Sequence, residues 1–89
     1  MLKPVSTKQF TFDKSKKAFL AEMSSIPKEA WFEDMLYMES EKTGKVSVWK
    51  AFKTRYFDGE FEHVEMIPTK ETLEKIPELD GYRMTIYND

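Results

Sequence analysis

Apolar and polar residues alternate most clearly between Lys45 and Ile67. There Lys-Val-Ser-Val-Trp-Lys-Ala-Phe-Lys-Thr-Arg-Tyr-Phe runs into Asp58-Gly59 and then Glu-Phe-Glu-His-Val-Glu-Met-Ile. Two runs rich in β-branched and aromatic residues, joined by Asp-Gly, predict a β-hairpin, because Gly adopts positive φ without strain and Asp tolerates the left-handed region. A two-residue turn pairs Phe57 with Glu60, Tyr56 with Phe61, Arg55 with Glu62, Thr54 with His63, Lys53 with Val64 and Phe52 with Glu65. A three-residue loop with a bulge instead sets Lys53 opposite His63, and the sequence is compatible with both. In the first register one face carries Val46, Val48, Phe52, Tyr56, Phe61 and Ile67 and is the better core candidate. The other carries Trp49, Ala51, Phe57, Val64 and Met66 among Lys53, Arg55, Glu60 and Glu62. It is too apolar to be simply solvated, so a further element or a ligand covers part of it.

On either side of the hairpin the patterns are shorter. Lys8-Gln9-Phe10-Thr11-Phe12 alternates as a short half-buried strand. Lys14 to about Ser24 reads as a helix, capped by Asp13 or Ser15, with Ala18, Phe19 and Met23 on one face. Ile26-Pro27 breaks it, and Pro27 suits the first turn of another helix over 28–34, with Glu29, Glu33 and Asp34 among its residues. Beyond Met38 the helical pattern weakens, since Glu39 and Lys42 fall inside the apolar arc, and a strand from Met35 to Ser40 is the slightly better reading. Pro68 closes the hairpin, Thr69 caps a short helix over Lys70 to about Ile76, and Pro77 ends it. Tyr82 to Tyr87 alternates as a last strand, with Tyr82, Met84 and Ile86 on one face. The expected class is α+β: a small antiparallel sheet built on the 45–67 hairpin, with two or three short helices packed on one face.

Composition narrows what such a chain does. Its 89 residues are enough for one core and therefore one domain over 1–89. Seven Phe, four Tyr and two Trp form an aromatic load that must go into the core or an interface. Net charge is −2, so the overall basic signature of a phosphate binder is absent. No cysteine is present, which removes thiolate metal sites, disulfides and thiol chemistry. With no apolar run of transmembrane length and no signal-peptide core after Met1, the expectation is a cytoplasmic protein that does not engage a membrane.

Candidate chemistry is sparse. His63 is the single histidine, and only Glu65 shares its strand face, which falls short of a metal site. The three glycines lie at separate turns and form no phosphate loop, and no Gly-x-Ser-x-Gly elbow occurs. No cofactor, metal or catalytic residue is expected. The leading expectation is a protein-interaction module or regulator, binding another protein or itself through Trp31, Phe32, Met35, Trp49, Phe57 and Met66. These are residue types enriched in interfaces. The alternative is a nucleic-acid platform, with Trp49, Phe57 and also Tyr56 as candidates to stack on bases and Lys45, Lys50, Lys53, Arg55, Lys14, Lys16 and Lys17 to hold phosphate.

Overall fold

A computed structural model describes residues 2–88, apart from the side chain of Phe57. Eight strands build one mixed sheet: β1 Val5–Ser6, β2 Thr11–Asp13, β3 Ala18–Glu22, β4 Trp31–Phe32, β5 Met35–Glu39, β6 Val46–Phe57, β7 Glu60–Pro68 and β8 Arg83–Tyr87. Among the described residues one α-helix, α1, spans Lys70–Lys75, and the other helical pieces are 3₁₀ turns at 7–9, 23–25, 28–30 and 77–79. The α+β expectation is therefore overturned: the chain is mostly β, curled into a half-barrel, with no helical layer packed on the sheet.

The strand order is β1-β5-β6-β7-β8-β3-β2, with β4 beside β5. The two outermost strands, β1 and β2, follow one another in sequence across a single 3₁₀ turn, so one N-terminal segment supplies both edges. Strands three apart lie about 14 Å from each other in a flat sheet. Here the rings of Phe19 on β3 and Trp49 on β6 meet edge-to-face at 5.8 Å, so the sheet curls and its concave side faces itself. That side holds Val5, Leu36, Met38, Trp49, Val64, Met66, Met84 and Ile86, all buried. Trp49 is fully enclosed, and its indole Nε1–H donates to Ser47 Oγ at 2.9 Å, so the buried donor is satisfied.

The hairpin is present, with the turn at Asp58-Gly59 and Gly59 at φ 78°. Phe57 pairs with Glu60 and Tyr56 with Phe61, as a two-residue turn requires. Two irregularities then change the expected register. One between Arg55 and Tyr56 sets Arg55 opposite His63, Thr54 opposite Val64 and Lys53 opposite Glu65; a second lies between Ala51 and Lys53 and makes Phe52 the extra residue.

The expected core face is overturned as well. Trp49, Ala51, Val64 and Met66 point into the half-barrel, whereas Val46, Phe52 and Tyr56 are exposed. A count of apolar residues favours the wrong side, because the direction of curl decides which side is enclosed.

Two helices expected from sequence are strands. The segment Lys14–Ser24 folds as a turn, then β3, then a 3₁₀ turn. Asp13 Oδ1 accepts from the backbone N–H and the hydroxyl of Ser15 at 3.1 and 2.6 Å, closing a turn in place of a helix N-terminus. Backbone pairing of β3 with β8, parallel from Ala18↔Arg83 to Glu22↔Tyr87, then outweighs the helix propensity of Ala, Leu and Glu. Similarly 28–34 forms a 3₁₀ turn, β4 and a tight turn with Glu33 at φ 57°. Strand β5 and helix α1 lie where the sequence places them, and Thr69 Oγ1 accepts from Thr72 N–H as the cap.

Candidate interaction surface

Strand β6 is the longest of the sheet and outruns a neighbour at each end. β7 pairs with it no further than Pro68 opposite Trp49. Past that point α1 takes over the edge: Thr69 N–H donates to Val48 O at 2.9 Å, Val48 N–H donates to Thr72 Oγ1 at 3.0 Å, and the Thr72 hydroxyl reaches Val48 O at 3.2 Å. The polar groups of that edge are satisfied where the next strand has run out.

At the other end β5 pairs with β6 from Val46 to Lys50, and Ala51 N–H still reaches Asp34 O at 3.3 Å. From Phe52 to Phe57 the only strand beside β6 among the described residues is β7. β8 pairs with β7 from His63 to Met66, and Asn88 N–H reaches Glu62 O, so the hairpin tip projects beyond the body as an arm. Six residues at about 3.3 Å each leave roughly 20 Å of β6 without a second neighbour.

The arm is rich in exposed chemistry. Phe52 is 45% and Tyr56 67% exposed, and the Tyr56 and Phe61 rings meet edge-to-face at 5.8 Å. The guanidinium of Arg83 lies over the Phe52 ring, 4.9 Å from its centroid. Because Phe52 is an extra residue, Lys50, Lys53 and Arg55 fall on the same convex side, opposite Ile67, Glu65 and His63 respectively. Were Phe52 paired in regular register, Lys50 and Lys53, three apart, would point to opposite faces. Arg55 Nε lies 3.8 Å from Glu62 Oε2, and His63 Nε2 lies 4.0 Å from Glu65 Oε2.

Of the residues expected to bind protein, Phe32 and Met35 are cross-strand partners on the convex side, Phe32 exposed and Met35 half-buried, with Lys50 opposite Met35 on β6. Trp31 is half-buried against the core, and Trp49 and Met66 are sealed within it. The side chain of Phe57 lies outside the described residues. The four hairpin cations of the nucleic-acid alternative are all exposed, but Lys45 stands at the far end of β6 from Lys53 and Arg55, and Trp49 offers no face for stacking. Sequence reasoning missed Val46 and Phe52 as surface groups and offered Tyr56 as one only in the nucleic-acid alternative. Val46 is paired with Glu39 yet lies on the convex face, and Phe52 is the extra residue of the bulge, so both depend on the direction of curl and the register.

A second concavity of about 310 Å³ opens at the mouth of the half-barrel, walled by Phe19, Met38, Leu79 and Tyr82 with Lys45 and Glu78 among its lining. Among the described residues no three His, Cys, Asp or Glu side chains are grouped to hold a metal ion, and no helix is long and apolar enough to cross a membrane. Comparison with family models, curated proteins and solved structures finds no match to this chain.

Proposed function

We propose that this chain is a non-catalytic, cytoplasmic protein-interaction module whose contact surface is the projecting β6–β7 arm together with the adjoining convex patch of Phe32 and Met35. The observation that carries this reading is the unpaired edge of β6 from Phe52 to Phe57. An open strand edge flanked by exposed aromatic groups is a template for another polypeptide, and natural domains normally blunt or cover such edges. Here the opposite end of the same strand is covered by Thr69 and Thr72, so the fold has the means to close an edge and leaves this one open.

Selection of random peptides displayed on phage against the immobilised chain tests the reading. The expected outcome is enriched peptides that slow hydrogen exchange of the amides from Phe52 to Phe57. A selection that enriches nothing over a blank surface removes the proposal.

A second reading, single-stranded nucleic acid on the same arm, is supported by Lys50, Lys53 and Arg55 beside the exposed rings of Phe52 and Tyr56. It is weakened by the loss of Trp49 as a stacking group and by the acids of β7 directly opposite the cations. Titration with oligo-dT and oligo-U at low salt decides it, since binding without salt sensitivity, or none at micromolar concentration, rules it out.

A further inference from the structure

Resting on the interaction-module reading, we infer that the occupant of the open β6 edge is an acidic, extended polypeptide segment that joins the sheet as an extra strand. The chemistry of that occupant is already represented on the other side of β6. There the neighbour is β7, Glu-Phe-Glu-His-Val-Glu from Glu60 to Glu65, in which acidic and apolar residues largely alternate. It places Glu65 opposite Lys53 and brings Glu62 within 3.8 Å of Arg55. The side chains of Lys53 and Arg55 are flanked by carboxylates on the β7 side and by no strand on the other. A strand on the open side with the same alternation sets a second row of carboxylates beside the same cations and its apolar residues on the other face, beside the exposed Tyr56.

The same charges argue against a second copy of the chain as the occupant. Antiparallel pairing of Phe-Lys-Thr-Arg-Tyr-Phe with itself puts four cations and no acid on one short ladder, an arrangement that like-charge repulsion disfavours. Lysine on an exposed edge is a recognised guard against such self-pairing, and here it leaves an acidic partner as the permitted one.

The probe is a fluorescein-labelled peptide, Glu-Val-Glu-Thr-Glu-Val-Glu-Thr, compared with its Lys-for-Glu counterpart and with a version N-methylated at alternate residues. The intact chain is expected to bind the acidic peptide saturably and at least about fivefold more weakly at high salt than at low salt, because the contributing charges are solvent-exposed. The lysine peptide and the N-methylated peptide are expected not to bind, and amide shifts on titration are expected to cluster from Phe52 to Phe57. The double variant Lys53→Gln with Arg55→Gln should lose most of the affinity. Should that variant not fold, the N-methylated peptide still separates strand addition from nonspecific charge attraction.

Equal binding of the lysine or N-methylated peptide overturns the inference, as does self-association through β6 in sedimentation or displacement of the peptide by oligo-U. Display selection distinguishes this failure from that of the module itself. Neutral or basic peptides mapping to 52–57 leave the module standing and remove the acidic partner, whereas no enrichment removes both.

Discussion

The two ends of β6 pose the same physical problem and receive opposite solutions. At Val48 the strand has outrun β7, and the exposed backbone is taken up by Thr69 N–H and the Thr72 hydroxyl. At Phe52–Phe57 it has outrun β5, and no strand or helix replaces the lost neighbour. The buried end also carries Trp49, while the open end carries Tyr56. Within one strand the chain thus separates the residues that keep the half-barrel folded from the residues free to serve something else, and mutations at the two ends should differ in kind as well as in size.

The largest effect is expected at the closed end. Trp49→Ala removes a fully enclosed ring that touches Phe19 and hydrogen-bonds Ser47. A loss of about 3–5 kcal/mol is expected in urea unfolding, enough to unfold a domain of this size under mild conditions. Tyr56→Ala, at the open end, should change stability by less than about 1 kcal/mol while reducing arm-directed peptide binding. Equal losses for the two substitutions would erase the distinction between body and arm.

Thr72→Val is the sharper test of edge closure, since it keeps side-chain volume and removes the hydroxyl. Val48 N–H then loses its acceptor, and the Thr69 hydroxyl loses the acceptor it donates to while still capping Thr72 N–H. A cost of about 1–3 kcal/mol is expected, with faster amide exchange at Val48 as the local signature. If exchange at Val48 were unchanged, the helix would not be closing that edge through this side chain.

Gly59→Ala comes next. With φ at 78° the new Cβ has open space around it but an unfavourable backbone, so the expected cost is about 1 kcal/mol, confined to the arm. The melting midpoint of the body should move little, whereas the amides flanking the turn should exchange faster.

The hairpin was legible because its signals are local: Asp58-Gly59, and a run of strand-forming residues on either side of it. So were Thr69 as a cap and the alternation of Met84 and Ile86. What was not legible depends on partners far along the chain. β3 reads as helix until Arg83–Tyr87 is laid beside it, and its Ala-Phe-Leu-Ala-Glu composition carries no trace of that pairing. The core face was misjudged because six apolar residues on one side outweigh five on the other by count, while only the Phe19–Trp49 approach reveals which way the sheet bends. The candidate site was partly legible. Lys50, Lys53 and Arg55 were visible as a basic run, but the extra residue at Phe52 that puts them on one face was not, and an unpaired edge is a property of two strands ending in different places.

The smallest expected effect concerns the turn between β2 and β3. β2, at the end of the strand order, is joined to β3 by a turn in which the Asp13 carboxylate accepts from Ser15. The Ser15 hydroxyl holds the Asp13 carboxyl below its ordinary range, with backbone N–H groups and Lys16 adding to the effect. A carboxyl whose folded-state pKa is depressed stabilises the fold at any pH above its unfolded value and loses that contribution as the pH falls through the folded one. Asp13→Asn should therefore lower the melting midpoint slightly at neutral pH, and the gap between variant and parent should close in acid, below the ordinary carboxylate range. Because the group is solvent-exposed the gap will be small, so amide exchange along Thr11–Asp13 is the more sensitive readout. A gap that stays constant from neutral to acid pH would mean that the side chain closes the turn by shape and not by charge.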